Sequence, residues 1–362
     1  NAYDRLKVAA EIGRDLDLVE PKLFGMTHVA NTLNLMTRFA EAKAAAQEAL
    51  AVARDAGHLG YEAELMAFTI PLNLIAHGDF EGAMKSAEAG TNLAIQIGSA
   101  ERECFGELAQ GMIARMTGRY EDAIAFDKRS VDAAQIAGST FIEAAAQCEL
   151  GSAYLDTSPA FADQTSAYHT DALATLDKPM GGALGAMVWA NIGFCAVQLG
   201  DVDRAEEMFR LGLEVRTGSQ LFSKPQLLMG LGLVAAARGD LEGAMGQLKA
   251  AREIAEGRQM KHYMPFIEMI DGVLAGHAQQ PDKALEYLVR SEELASKLGM
   301  LPVVWQARAG MASTLMTLGR DAEAETKRSE ARSVIDEIAS GFEDAELRDA
   351  YVGSARGQLE GE

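Results

Sequence analysis

The sequence predicts an all-α superhelical solenoid of about eight helix-turn-helix repeats, with a partial repeat before them and a closing helix after them. Three observations carry that expectation. A small residue returns about every forty positions, at Ala30, Pro71, Gly111, Gly151, Gly193, Gly232, Gly272 and Ala312. An alanine follows twelve residues later, at Ala42, Ala83, Ala123, Ala205, Ala244, Ala284 and Ala324, the fourth unit alone lacking a clear match. A further small residue comes seven positions on, at Ala49, Gly90, Ser130, Gly212, Ala251, Ser291 and Ala331. A fixed period of this kind marks an array in which each unit buries its apolar face only against its neighbours. Composition agrees, since the chain is rich in Ala, Leu, Glu and Met, which favour helix, and β-branched runs are scarce.

The elements follow in order. Asn1-Ala2 reads as a cloning scar, and Tyr3 to Gly13 (YDRLKVAAEIG) reads as the end of a second helix, like AIQIG ending at Gly98 and AAQIAG ending at Gly138. Residues 1–20 are therefore expected to close a preceding repeat, in an array cut from a longer protein. Residues 21–340 form the array. Its intra-unit turns are most regular at Gly78-Asp79, Gly118-Arg119, Gly200-Asp201 and Gly239-Asp240. There the Gly supplies the left-handed conformation that ends the first helix, and the Asp can cap the second. The two small positions of the second helix lie two turns apart on one face, which reads as a packing seam. The pattern is irregular near 157–180, where Thr157-Ser158-Pro159 and Lys178-Pro179 interrupt it. Residues 341–362 read as a capping helix and tail, with Leu347, Tyr351 and Val352 turned inward.

These spacings resemble those of the tetratricopeptide repeat (TPR), which has a small residue at its eighth position, Ala at its twentieth and another small residue at its twenty-seventh. Trp189 and Tyr154 fall on aromatic positions of that pattern. The period of about forty exceeds the family's thirty-four. Units this long are similar to the arrays of bacterial MalT-like signalling ATPases and regulators, and of multidomain adenylate or guanylate cyclases. That resemblance implies a non-catalytic scaffold for protein-protein interaction or regulation, in a bacterial, cytoplasmic signal-transduction protein. Its alternative is a sensory domain that binds a small effector within the superhelix and controls an attached ATPase, cyclase or transcription-regulator module.

Searching for chemistry narrows the function classes. With a formal net charge of −20 and no basic cluster, the chain offers no track for phosphates, so nucleic acid is disfavoured as a partner. Cys104, Cys148 and Cys195 are an odd, unpaired set that suits a reducing cytosol. No apolar run reaches membrane-spanning length. Gly230-Leu231-Gly232-Leu233-Val234-Ala235 fits a dinucleotide pattern on paper, but no strand precedes it and Gly232 is the small position of the sixth repeat. His28, His58, His77, His169, His262 and His277 show no metal-ligand spacing, and no nucleophile motif occurs. The expectation is thus no enzyme, no catalytic residue, no metal and no cofactor in this segment.

In the resembled family the first helix of each unit lines a concave groove. The corresponding positions name Asn31, Asn34, Phe68, Leu72, Met112, Arg115, Phe194, Met229 and Met269 as candidates for partner binding. The Lys and Asn of the family's carboxylate clamp are missing from their set positions. An apolar, Met-rich lining suits an adaptable contact with a protein segment or partner domain. The competing expectation is that these side chains pack against neighbouring units.

Overall fold

A computed structural model of the chain describes residues 2–177, 184–215 and 219–361. All regular structure among them is helical, and no helix is long and apolar enough to cross a membrane. Helix α1 (Ala2–Asp15) is followed by α2 (Val19–Leu35) with α3 (Phe39–Asp55) as the first unit. The second unit joins α4 (Leu59–Glu64) and α5 (Ile70–His77) through a π turn, Leu65–Thr69, and pairs them with α6 (Phe80–Gln96). Then come α7 (Ala100–Thr117) with α8 (Tyr120–Ala137), α9 (Thr140–Thr157) with α10 (Ala162–Leu176), and α11 (Gly185–Gln198) with α12 (Val202–Glu214). The last three units are α13 (Ser219–Ala237) with α14 (Leu241–Gly257), α15 (Met264–His277) with α16 (Pro281–Leu298), and α17 (Leu301–Thr317) with α18 (Asp321–Ala339). Helix α19 (Ala345–Glu360) closes the chain.

Turn chemistry places the helix ends. Gly78, Gly118, Gly200 and Gly239 hold φ near +80°, where a side chain would be strained. Asp79, Asp201 and Asp240 accept hydrogen bonds from the backbone N–H groups of Gly82 (2.9 Å), Arg204 (3.1 Å) and Gly243 (2.9 Å). Each cap satisfies a donor that the first helical turn leaves orphaned.

Where the recurring small residue of a first helix is a glycine, it has a close neighbour on the second helix. A Cβ added to Gly193 would stand 2.5 Å from the Phe209 ring, and one on Gly272 would stand 2.7 Å from Leu288. Both partners lie sixteen residues downstream, and the same spacing pairs Gly111 with Asp127. The irregular fourth unit keeps this logic with two extra residues. Thr165 takes the place of the recurring alanine and donates its hydroxyl to Gly151 O (2.9 Å), while His169 faces Gly151. A 3-10 turn, Pro159–Phe161, absorbs the insertion. The rest of the expected irregular stretch, Lys178-Pro179-Met180, lies outside the described residues, as does Asn1.

Both glycines of the dinucleotide-like motif sit inside α13. A Cβ on Gly230 would meet the Phe209 ring at 2.2 Å, and one on Gly232 would meet Ala244 O at 3.3 Å. Close packing therefore accounts for that motif.

The array coils tightly enough to touch itself. Helix α2 meets α13, α5 meets the turn before α15, α7 meets α17, and α9 meets α19. Each contact joins a unit to the position five units further on, so about five units complete one superhelical turn. The seam runs along the intra-unit turns of the first units. Phe39 packs edge-on to Phe222 with ring centroids 6.2 Å apart, and His262 Nδ1 lies 3.2 Å from Ala76 O. Further along, the Glu121 carboxylate accepts from the N–H groups of Glu343 (2.7 Å) and Asp344 (3.1 Å), and Tyr120 packs on Tyr351.

Candidate functional site

Side chains that bridge successive first helices define the inner layer of the solenoid. Two rows stand out. The first is aromatic: Phe68 lies 5.0 Å from Phe105, which lies 5.6 Å from Phe141, linking the second, third and fourth units. All three rings are partly buried. The second row is polar. Arg115 donates to Glu149 (2.9 Å) and Asp156 (2.9 Å), Asn191 donates to Glu149 (2.6 Å), and Gln226 donates to Asn191 Oδ1 (2.9 Å). It crosses the third to sixth units.

The nine residues named from the sequence divide among different surroundings. Phe68, Leu72, Phe194 and Met229 belong to one apolar cluster, with Phe222, Tyr263 and Ile267 from later units. Met269 packs against a second cluster that includes Ile75, Ile113 and Trp305, and Met112 against a third around Leu108 and Ile142. Arg115 anchors the polar row. Asn34 is fully buried and donates to Thr69 O (2.8 Å). Asn31 is partly exposed on α2. The structure thus gathers Phe68, Leu72, Phe194 and Met229 in one cluster and distributes the other five among other surroundings.

Phe105, Phe141, Glu149, Asn191 and Gln226 were not singled out by sequence. A signal for the two rings existed. Phe105 lies six and Phe141 ten residues before the small position, which continues the helical face marked by the third residue before it.

Ionisation in this layer follows burial and partners. Burial works against the charge of Arg115, yet Glu149 and Asp156 outweigh it and hold the guanidinium well above its usual range. Asp127 is wholly buried, both carboxyl oxygens lack a hydrogen-bond partner, and burial pushes its pKa well above the usual carboxylate range. Burial also drives His169 and His262 down to about 4. The three cysteines are free and buried, and burial pushes Cys104 and Cys195 up to about 12, where little thiolate exists at neutral pH. No cluster of His, Cys, Asp or Glu among the described residues has metal-site geometry.

Where the middle of α2, the C-terminal end of α4 and the first turn of α7 come together, a further set of groups meets. Glu64 lies 3.7 Å from His28 Nδ1 and 3.9 Å from Arg102, both beyond hydrogen-bond length. Arg102 spends its Nε–H on Gly60 O (2.7 Å). Burial raises the Glu64 carboxyl to about 7, with Arg102 opposing and Glu101 adding to the shift.

Comparison with known proteins bears on the fold. Residues 187–217, which span most of α11 and all of α12, match the sequence model of the tetratricopeptide repeat. No curated protein sequence matches the chain significantly. Among solved structures, a Rap protein complexed with competence and sporulation factor superposes with a TM-score of 0.62 at 12% identity, covering 89% of this chain and 99% of that one. The Rap conjugation gene regulator of plasmid pLS20, solved with a peptide, gives 0.60 at 15% identity, covering 88% and 97%. A signal transduction ATPase with numerous domains and a tetratricopeptide repeat sensor, from Pyrococcus horikoshii, gives 0.52 at 14% identity, covering 93% and 53%. Register, paired helices and these matches agree on the fold: an α-helical solenoid similar to tetratricopeptide repeat arrays.

Proposed function

We propose that the chain is a non-catalytic regulatory scaffold whose inner layer, over the second to fourth units, binds an extended or helical protein segment. The observation that carries this reading is the aromatic row Phe68–Phe105–Phe141, partly exposed and continuous across three first helices. Aromatic rings offer large contact area at low cost in side-chain entropy, which suits recognition of a peptide. The solved Rap structures with bound factor or peptide support it as structural relatives. Selection of a random peptide library on the immobilised chain tests the proposal. Enriched peptides should lose at least about tenfold in affinity on Phe105→Gln, the loss of one buried aromatic anchor, while the helical circular dichroism spectrum is retained. Equal binding to both proteins would move the site elsewhere.

A second reading makes the array the effector-sensing part of a larger signalling protein, in which binding shifts the state of an attached ATPase, cyclase or DNA-binding module. Its support is the likeness to the numerous-domain ATPase, of whose chain this array matches about half.

A further inference from the structure

The meeting point of α2, α4 and α7 has features that packing alone does not require. Glu64 is about nine-tenths buried, yet its carboxylate stands too far from both His28 and Arg102 to hydrogen-bond to either. A buried carboxylate left loosely paired is costly unless something else completes it. The surroundings hold a cation, Arg102, which is shared with a second acid, and several aromatic rings. Glu101 faces the site from α7 beside Arg102, and Tyr61 lies one turn before Glu64, its ring under the Arg102 guanidinium at 5.9 Å. His28, on α2, is contacted edge-on by Phe24 at 4.3 Å, and Phe24 is 43% exposed.

Register explains the arrangement. The π turn Leu65–Thr69 adds one residue to the second unit, so Pro71 follows Ala30 by 41 residues while the next two intervals are 40. Counting back through it, Glu64 occupies the position that Phe24 holds on the first unit and Phe105 on the third. An acid therefore interrupts an aromatic line at the end of the row already described. A π turn inside an α-helix often accompanies a functional site.

We propose that Glu64, between His28 and Arg102, anchors a cationic group of the bound segment, a guanidinium or ammonium, while Phe24 and Phe105 flank it. This rests on the peptide-binding reading above and specifies the chemistry at one end of that site. A cation supplies the hydrogen bonds that the carboxylate lacks, and neighbouring ring faces add cation–π attraction. Because Glu64 titrates at about 7, ionised above and protonated below, the cation is held more tightly as pH rises.

The same library selection, run in parallel on the wild type and on Glu64→Gln, tests this. Wild type should enrich peptides carrying Arg or Lys, and Glu64→Gln should recover peptides without that bias. A selected Arg peptide should bind about tenfold more tightly at pH 8 than its citrulline counterpart, the fold-change of a single charge-assisted contact. Its affinity should fall on moving to pH 6 in the wild type and stay level in Glu64→Gln. Thermal melts of both proteins establish that the variant is folded, with Glu64→Ala as a second removal of the charge. Peptides enriched without basic bias, or a bias that survives Glu64→Gln, overturn the cation anchor and leave the binding reading standing. No enrichment on the wild type overturns both.

Discussion

Gly193 shows what the forty-residue beat is for. Its missing side chain makes room for the Phe209 ring, which also presses on Gly230, so one buried aromatic consumes two glycines on two first helices. Small residues recur because the facing position is filled, by Phe209, Leu288, Asp127 or His169 according to the unit. Gly193→Ala should therefore destabilise by about 1–3 kcal/mol, the cost of overpacking a close contact. Gly246, an exposed mid-helix glycine of α14 with open space where a Cβ would go, supplies the contrast. Gly246→Ala should stabilise by up to about 1 kcal/mol through helix propensity. Urea denaturation of the two variants reads both signs, and a neutral Gly193→Ala would refute the ring-in-notch account. The spacing of the glycines was legible in the sequence. Their partners were not, because Asp and His in that slot look like surface residues until burial is known.

The second unit illustrates the scale of the element. Pro71 lacks an N–H, so a regular α-helix would lose a bond there, and the π turn just before it redistributes the backbone. Side chains serve carbonyls along the turn: Ser86 donates to Met66 O (2.8 Å), and Asn34 donates to Thr69 O. Asn73 then donates both to Asn34 Oδ1 (3.0 Å) and to Phe39 O (2.9 Å), tying two first helices and a helix start into one buried chain of bonds. Replacing Asn34 or Asn73 by Ala should each cost about 1–3 kcal/mol, since partners are left buried and unpaired. The double variant should cost clearly less than the sum, because both act in one network. Additive losses in denaturant melts would show two independent bonds. From the sequence, Asn34 pointed to the concave groove. The one-residue shift of the π turn, which changes what faces what, has no periodic signature of its own.

On the scale of the whole molecule, five units per superhelical turn bring the first three units against the sixth to eighth. His262 sits in that seam, stacked 5.8 Å from Phe222 and held near Ala76 O. Burial, with His77 adding to it, lowers its pKa to about 4 from 6.5, against the pull of the Ala76 carbonyl. A depressed histidine contributes stability that is fully present above its unfolded value and is lost as pH falls through the folded one. Between pH 6.5 and 4 that loss is at most about 3 kcal/mol for this group. Acidification over this window should loosen the seam, raising the radius of gyration in X-ray scattering before helical ellipticity falls. Simultaneous loss of both would show that the seam is no weaker than the units it joins.

The amino-acid sequence by itself determined the repeat: helix-forming composition, small residues at three coupled spacings, and Gly-Asp turns act within a few tens of residues, where local propensity and nearest-neighbour packing decide. It also exposed the dinucleotide-like motif as a packing feature. Only the tertiary structure decided which inner residues meet. Phe68, Leu72 and Met229 come together through a superhelical pitch set by small rotations accumulated over four units, and Glu64 takes its place through a single inserted residue. Such rotations sum over well more than a hundred residues, a distance at which no periodic pattern specifies a contact.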